Sequence, residues 1–343
     1  MESQDTTVER VAVIIVNYNA GDMLRRCLAS LAAQSVRPYR VLVMDNGSHD
    51  RSVDDCETAF PWVEFHRLNA NLGFARANNL AVDRVSDCEW LALLNPDAFP
   101  EPSWLESMLR AARRFPDTDT FASCMLADQP RGMVDGAGDA YRVDGLAWSR
   151  YQGEPATRLP VVVEEVFAPS AGAGFYRRRV FVETGGFCER YFCYYEDVDL
   201  GFRLRLRGVR CRFLPDAVVY HVGSALTGKG SEFSIYHAHR NFVWTYLRNM
   251  PSPYVWWFLP AHLLANLVSI VVFALKGRGW TILRAKRDAL RGLRRTWRER
   301  REIQRGNRVA APAVVQLMER GNALRSIVRM AFRRARTATA RAS

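Results

Sequence analysis

From Tyr191 to Leu200 the chain reads Tyr191-Phe192-Cys193-Tyr194-Tyr195-Glu196-Asp197-Val198-Asp199-Leu200, three carboxylates beside four aromatic rings. Apolar walls disfavour the charged form of an acid, so carboxylates in that setting serve proton chemistry or fix a substrate. Asp199 has a second reading, an ion pair with Arg203 one helical turn further on. Upstream, polar residues stand where apolar runs stop: Asn17, Asp45, Asn69 and Asp97.

The apolar runs explain what positions those residues. Val11 to Val16 is continuous and β-branched, the pattern of a strand buried on both faces. Asn17-Tyr18-Asn19-Ala20-Gly21 breaks it, and residues 22–34 then read as a helix with Met23, Cys27, Leu28 and Leu31 on one side. Short strands follow at 40–44, 63–66 and 90–94, with a helix from about Gly73 to Val85 between the last two. Strand and helix alternating in short steps predict an α/β fold, a mixed and mostly parallel sheet flanked by helices. Ligands of such sheets collect beyond the carboxyl ends of the strands, where Asn17, Asp45 and Asp97 stand. Residues 126–165 are looser and read as an insertion or hairpin; 209–214 and 218–221 read as closing strands; a helix from about Ser231 to Asn249 follows, with His237 and His239 expected to face solvent.

Six segments, in this order, resemble family 2 glycosyltransferases. They are Val13-Ile14-Ile15-Val16-Asn17-Tyr18-Asn19, Met44-Asp45-Asn46-Gly47-Ser48-His49-Asp50, Asn71-Leu72-Gly73-Phe74-Ala75-Arg76-Ala77-Asn78-Asn79, Leu94-Asn95-Pro96-Asp97, Gly185-Gly186-Phe187 and Glu196-Asp197-Val198-Asp199-Leu200. The resemblance covers roughly residues 10–245 and leans toward a rhamnosyltransferase-like branch, in which Asn-Pro-Asp is the metal motif. It implies a nucleotide-binding sheet of the glycosyltransferase A type, a divalent metal (Mg²⁺ or Mn²⁺), and transfer with inversion. By the same resemblance Asp197 is the general base, Glu196 its neighbour or substitute, Asp199 a positioning group, and His221 a further metal ligand beside Asp97. A departing diphosphate needs a hard cation on oxygen ligands, which Asp97 suits. Asn95 replaces the first carboxylate of the commoner motif, so direct protein binding of the cation is weaker. Asp45 suits a base imide or ribose hydroxyl, with Asn17 and Tyr18 lining the same pocket. Asn71 and Gly73 shape a turn that lets backbone approach phosphate, Arg76 reaches the diphosphate or lies on a helix surface, and Gly172 and Ala173 leave room for a sugar.

The chain's 343 residues carry a net charge of +12, unevenly spread. From Lys276 onward 20 basic residues meet four acidic ones, whereas the first 275 residues hold 28 basic and 32 acidic. A nucleic-acid enzyme would place positive charge on its working domain, so no nucleic-acid partner is expected. Seven scattered cysteines without a Cys-x-x-Cys pair indicate reduced thiols, and the acidic start Met1-Glu2-Ser3-Gln4-Asp5 is no secretory signal. Met250-Pro251-Ser252-Pro253 reads as a boundary between a catalytic domain, 1–250, and a membrane-associating basic helical tail, 251–343. Tyr254 to Leu275 has the 22 residues of a membrane span, interrupted by Pro260, His262 and Asn266. One crossing would part the catalytic domain from the arginines, against the positive-inside rule, so an in-plane helix or re-entrant hairpin is expected. Two amphipathic stripes follow, one through Trp280, Leu283, Leu290, Leu293 and Trp297, the other through Val314, Leu317, Met318, Leu324, Val328 and Phe332. These readings predict an inverting enzyme at the cytoplasmic face of the membrane. It would use a nucleotide-sugar (dTDP-rhamnose, or alternatively a UDP-hexose) and a lipid-linked or cell-envelope glycan acceptor, with an anionic membrane surface as partner.

Overall fold

A computed structural model describes residues 9–223 and 230–321. The first half alternates as expected: β1 (Val11–Asn17), α1 (Asp22–Ala32), β2 (Arg40–Asp45), α2 (Asp54–Glu57), β3 (Glu64–Arg67), α3 (Phe74–Arg84) and β4 (Trp90–Leu94). Then come β5 (Ala98–Pro100), α4 (Trp104–Arg114), β6 (Thr120–Ala127), β7 (Val134–Ala137), β8 (Asp139–Tyr141), β9 (Ala147–Ser149) and β10 (Glu164–Glu165). The carboxylate-aromatic stretch and its neighbours are carried by β11 (Ala173–Arg177), α5 (Arg178–Glu183), α6 (Glu196–Leu206) and β12 (Cys211–His221). Helices α7 (Glu232–Asn249), α8 (Tyr254–Trp257), α9 (Leu259–Leu275), α10 (Gly279–Arg291), α11 (Leu293–Arg305) and α12 (Ala311–Gln316) close the described chain.

The main sheet runs β10-β12-β6-β11-β4-β1-β2-β3, with β5 on β12 and β7 on β6. β1 pairs in parallel with β2 and β4, and β2 with β3. β11 enters antiparallel between β4 and β6. Period-two alternation divides the core: Val11, Val13 and Ile15 of β1 face one cluster with α1 and α4, while Ala12, Ile14 and Val16 face another with α3. All seven β1 residues are buried, which is why the sequence there shows no polar alternation. The two closing strands expected at 209–221 are one strand, β12, whose register slips between Leu214 and Val218.

The segment after Pro253 differs from a detached tail. Val314, Val315 and Met318 share a core with Tyr141, Phe167, Phe202 and Tyr246, and Ala289 of α10 packs with Trp244 of α7. Among the described residues no helix is long and apolar enough to cross a membrane. The expected span breaks at Phe258 into α8 and the 17-residue α9. His262, one of its interrupting residues, is buried: its ring stacks 4.0 Å from Tyr246 and its Nδ1–H donates to the Asp144 carbonyl at 2.8 Å. The opposite side of α9 leaves Leu263, Leu264, Leu267 and Val271 exposed. His237 also departs from expectation, since it stacks on Phe192 at 5.2 Å, and burial pushes its pKa down to about 4. His239 meets the Phe273 ring at 4.8 Å rather than open solvent. Leu324, Val328 and Phe332 of the second stripe lie outside the described residues.

Candidate active site

The carboxyl ends of β1 and β2 form the first wall. Parallel pairing sets Asn17 beside Asp45 at the last register position of both strands. The Asn17 Nδ2 group donates to Asp45 Oδ1 at 3.1 Å and is shared with Ser48 Oγ at 3.1 Å and Ser52 Oγ at 2.9 Å. Asn17 is fully buried, so it orients Asp45, while the half-exposed Tyr18 lines the opening. Asn71 closes a turn: its Oδ1 accepts from Asn46 Nδ2 at 3.0 Å and from the Gly73 backbone N–H at 2.9 Å. Gly73 has φ +83°, and a Cβ there would stand 2.6 Å from the Phe192 ring. Only glycine fits both constraints. Arg76 is exposed on α3, its Nε 3.7 Å from a Glu189 carboxylate oxygen, which is the helix-surface alternative of its sequence reading.

The second wall lies at the end of β4. Asp97 is buried, and its Oδ1 stands 3.3 Å from His221 Nε2 at the end of β12. His221 Nδ1 lies 2.7 Å from Asp135 Oδ2 in β7, and Asn95 Nδ2 lies 3.5 Å from His221 Nε2. Hydrogen bonds to Asp135 and Asp97 outweigh burial and raise the His221 pKa to about 10, and Asp97 and His221 also stand at a spacing that one cation can bridge. Adjacent ligands of one cation with bonds of about 2.1 Å stand about 3 Å apart, and a metal-bound imidazole commonly gives its other N–H to a carboxylate. Among the described residues no group of three or more His, Cys, Asp or Glu side chains is disposed to hold a metal ion.

A short loop joins this wall to the carboxylate-aromatic stretch. Gly172 O accepts from the Asn95 N–H at 2.9 Å, and a Cβ on Gly172 would meet Met125 at 3.1 Å and Asn95 Nδ2 at 3.3 Å. One residue earlier, the Ala171 N–H donates to Asp197 Oδ2 at 3.2 Å. Asp197 and Asn95 therefore both bond the loop 171–173, whose Ala173 opens β11 opposite Leu94. Asp197 Oδ1 also accepts from the Val198 N–H at 2.8 Å. Burial raises the Asp197 pKa against the pull of those two N–H groups. Glu196 is buried, its Oε2 has no partner, and desolvation beside Asp197 holds it protonated well above the usual carboxylate range.

Asp199 corrects the expectation of a substrate-positioning group. It is wholly buried, bonded to Arg203 at 2.9 Å, Asn249 at 2.8 Å and the Tyr191 hydroxyl at 3.1 Å, and paired with Arg248 at 3.3 Å. The ion-pair alternative describes it, and its charge holds α6 to α7. Two residues were missed by reasoning from sequence. Asp135 orients His221, and Asp139, buried in β8, accepts from Ser149 Oγ at 2.8 Å while burial and the nearby Asp197 raise its pKa to about 7. Both lie in the stretch read as a loose insertion, and the Asp-rich spelling Val134-Asp135-Gly136-Ala137-Gly138-Asp139 was the available signal.

The profile of "Glycosyl transferase family 2" matches residues 12–183. N-acetylglucosaminyl-diphospho-decaprenol L-rhamnosyltransferase of Mycobacterium tuberculosis (strain ATCC 25618 / H37Rv) is 31% identical over 270 residues, covering 72% of this chain and 86% of that protein. Rhamnosyltransferase WbbL of Escherichia coli (strain K12) is 26% identical over 220 residues, 60% of this chain and 80% of the relative. Among solved structures, S. aureus TarS 1-349 in complex with UDP-GlcNAc is similar with a TM-score of 0.57 at 18% identity, covering 90% of each chain. GalNAc-T7 with UDP, GalNAc and Mn2+ is similar with a TM-score of 0.60 at 16% identity, over 73% of this chain and 49% of that one. At such identities the structures speak for the fold.

Proposed function

The chain belongs to glycosyl transferase family 2 and is a glycosyltransferase, and from that premise we propose that it moves L-rhamnose from dTDP-rhamnose onto a hydroxyl of a lipid-linked or cell-envelope glycan. The observation that carries this reading is the single loop 171–173, with Asp197 bonded at Ala171 and Asn95, beside Asp97 and His221, bonded at Gly172. The donor's base and ribose lie against Tyr18 and the free oxygen of Asp45, which Asn17 orients. Asp97 and His221 would hold Mg²⁺ or Mn²⁺ together with the diphosphate oxygens. Such a cation neutralises charge growing on the leaving group. Asp197 takes the proton as the acceptor oxygen bonds to the anomeric carbon and the bond from that carbon to the diphosphate oxygen breaks. Attack from the opposite face inverts the centre, and nucleoside diphosphate leaves. The names of the relatives support rhamnose and a polyprenyl-linked acceptor. The enzyme works at an anionic membrane surface on the cytoplasmic side, where the exposed side of α9 and the arginines after Lys276 face lipid.

Nucleoside diphosphate release from dTDP-rhamnose and from UDP-glucose, UDP-galactose and UDP-N-acetylglucosamine, each with Mn²⁺, Mg²⁺ or a chelator, tests the proposal. Metal-dependent turnover of dTDP-rhamnose is expected, with kcat down about 10²- to 10⁴-fold in Asp197→Asn and donor binding retained. Turnover of a UDP-hexose alone would replace the donor, and full activity in folded Asp197→Asn would remove the base.

A further inference from the structure

Helix α11 has two faces. Thr296, Glu299 and Arg300 point inward: Arg190 donates to Thr296 Oγ1 at 2.8 Å, and Glu299 lies 3.3 Å from Arg190 and 3.4 Å from Arg248. The outer face carries Arg294, Arg298 and Arg301, all exposed and spaced at successive turns, with Leu293 and Trp297 half-buried between them. Together with Leu247 of α7 these residues line a groove of about 620 Å³. Neighbouring arginines are neutralised: Arg287 and Arg291 at Asp288, and Arg295 at Glu299. Among the described residues Arg294, Arg298 and Arg301 have no acidic partner. The Trp297 ring lies 5.6 Å from Trp256, whose exposed neighbour Trp257 leads into the bare side of α9.

We infer that this groove binds the phosphate head groups of an anionic bilayer and seats α11 on the membrane. The inference rests on the membrane reading above and names the surface that makes contact. Three unpaired guanidiniums attract phosphate oxygens, while indole rings and the leucine floor suit the boundary between head group and acyl chain. A second copy of the chain is a poor occupant, because an isologous contact would bring the three guanidiniums against their own copies. Continuity with Trp256, Trp257 and α9 gives one surface that carries both charge and apolar area, as an interfacial helix requires.

Vesicle flotation of the full chain tests this, using phosphatidylcholine vesicles with and without phosphatidylglycerol at low and high salt. Wild type is expected to float with the anionic vesicles, less so at high salt. Each basic residue at such a surface is worth about fivefold in partitioning, so the triple variant Arg294→Gln, Arg298→Gln, Arg301→Gln should lose about a hundredfold. Removing the same charge from the body, with Arg37→Gln, Arg84→Gln and Arg114→Gln, should cost far less. Trp297→Ala should weaken attachment even at high salt. If wild type floats and the groove variant floats equally well with an unchanged melting curve, the groove is overturned and the membrane reading stands. If wild type stays off anionic vesicles, both fall. If wild type sediments as a dimer that the groove variant abolishes, the face joins two copies and the inference is overturned.

Discussion

At the scale of single residues, Asp197 sits in a place that resists its charge, and a second acid lies close enough to sense it. Burial raises the Asp197 pKa, while Asp139 rises to about 7 through burial and the Asp197 charge. The proton-accepting form is the ionised one, so kcat/KM should climb with pH through the raised pKa of this pair and fall away in acid. After burial, the Asp197 charge is what holds Asp139 high, so Asp197→Asn should move the titration of the Asp139 carboxyl to lower pH. Carbon NMR titration of Asp139 in both proteins checks this, and coincident curves would show that the carboxyls act independently. The same shift has a consequence for stability: an acid whose folded pKa lies above its unfolded value favours the fold at low pH and loses that contribution between about 4 and 7. The placement of Asp45, Asp97 and Asp197 was legible in sequence because each follows an apolar or aromatic run. Asp139 was not, because its burial is created by Ala168, Ser149 and Asp197, all distant in sequence or carried on an irregular loop. Asp199 shows the reverse error, since the motif proposed to carry the base also carries a structural anion, and only Arg248, 49 residues on, reveals it.

At the scale of elements, the loop before α6 is held in a shape its residues resist. Phe192, Tyr194 and Tyr195 all have φ of 68°, a region costly for bulky side chains. What compensates is α7: Asn241 Nδ2 lies 3.0 Å from Tyr191 O, 3.0 Å from Cys193 O and 2.7 Å from Tyr194 O, and Arg240 reaches the Tyr191 carbonyl at 2.9 Å. Asn241→Leu keeps the branched shape and removes the donors. It should lower stability by about 2–4 kcal/mol, since buried carbonyls are left unpaired, and should reduce kcat more than donor affinity because Asp197 hangs from that loop. Thermal melts and separate measurement of kcat and donor Kd check this; an equal loss in both would mean the whole site had moved. Helical amphipathicity cannot announce such a clamp, since Asn241 looks like one more polar position on α7. Strand legibility follows burial in the same way. β1 and β4 read clearly because both faces are apolar, whereas β6 carries Thr120 and Ser123 at buried positions. Ser123 is tolerated there because its hydroxyl accepts from Trp104 Nε1 at 2.9 Å and donates to Ala173 O at 2.6 Å, partners no local window contains.

At the scale of the whole molecule, composition places a boundary near Met250 that packing does not respect. Pro251 and Pro253 do end α7, and the charge balance does change sign beyond them, so the local signals are genuine. Yet Met250 is itself buried, Trp244 Nε1 donates to Ala289 O at 3.0 Å, and a Cβ on Gly292 would stand 2.8 Å from the Trp244 ring. Arg300 donates to Leu247 O at 3.0 Å, while Val314 and Val315 fill a core with Tyr141 and Phe202. Burying Ile282, Val314, Val315 and Met318 at about 1.5–3 kcal/mol each gives about 6–12 kcal/mol, comparable with the 5–15 kcal/mol by which an ordinary domain is stable. Truncation after residue 250 should therefore do more than release the protein from the membrane. It should expose Trp244, Tyr246 and Phe202, collapse the clamp on the strained loop, and yield an aggregated or inactive chain. The intact protein should melt in one calorimetric transition in which the sheet and the C-terminal helices unfold together. A soluble, active 1–250 fragment, or two separate transitions, would show instead that the glycosyltransferase body stands alone and that α10 to α12 are only an attachment; the ion pairs from Glu299 to Arg190 and Arg248 argue for the single transition, because pulling α11 away leaves Arg190 without its carboxylate and Arg248 with Asp199 alone.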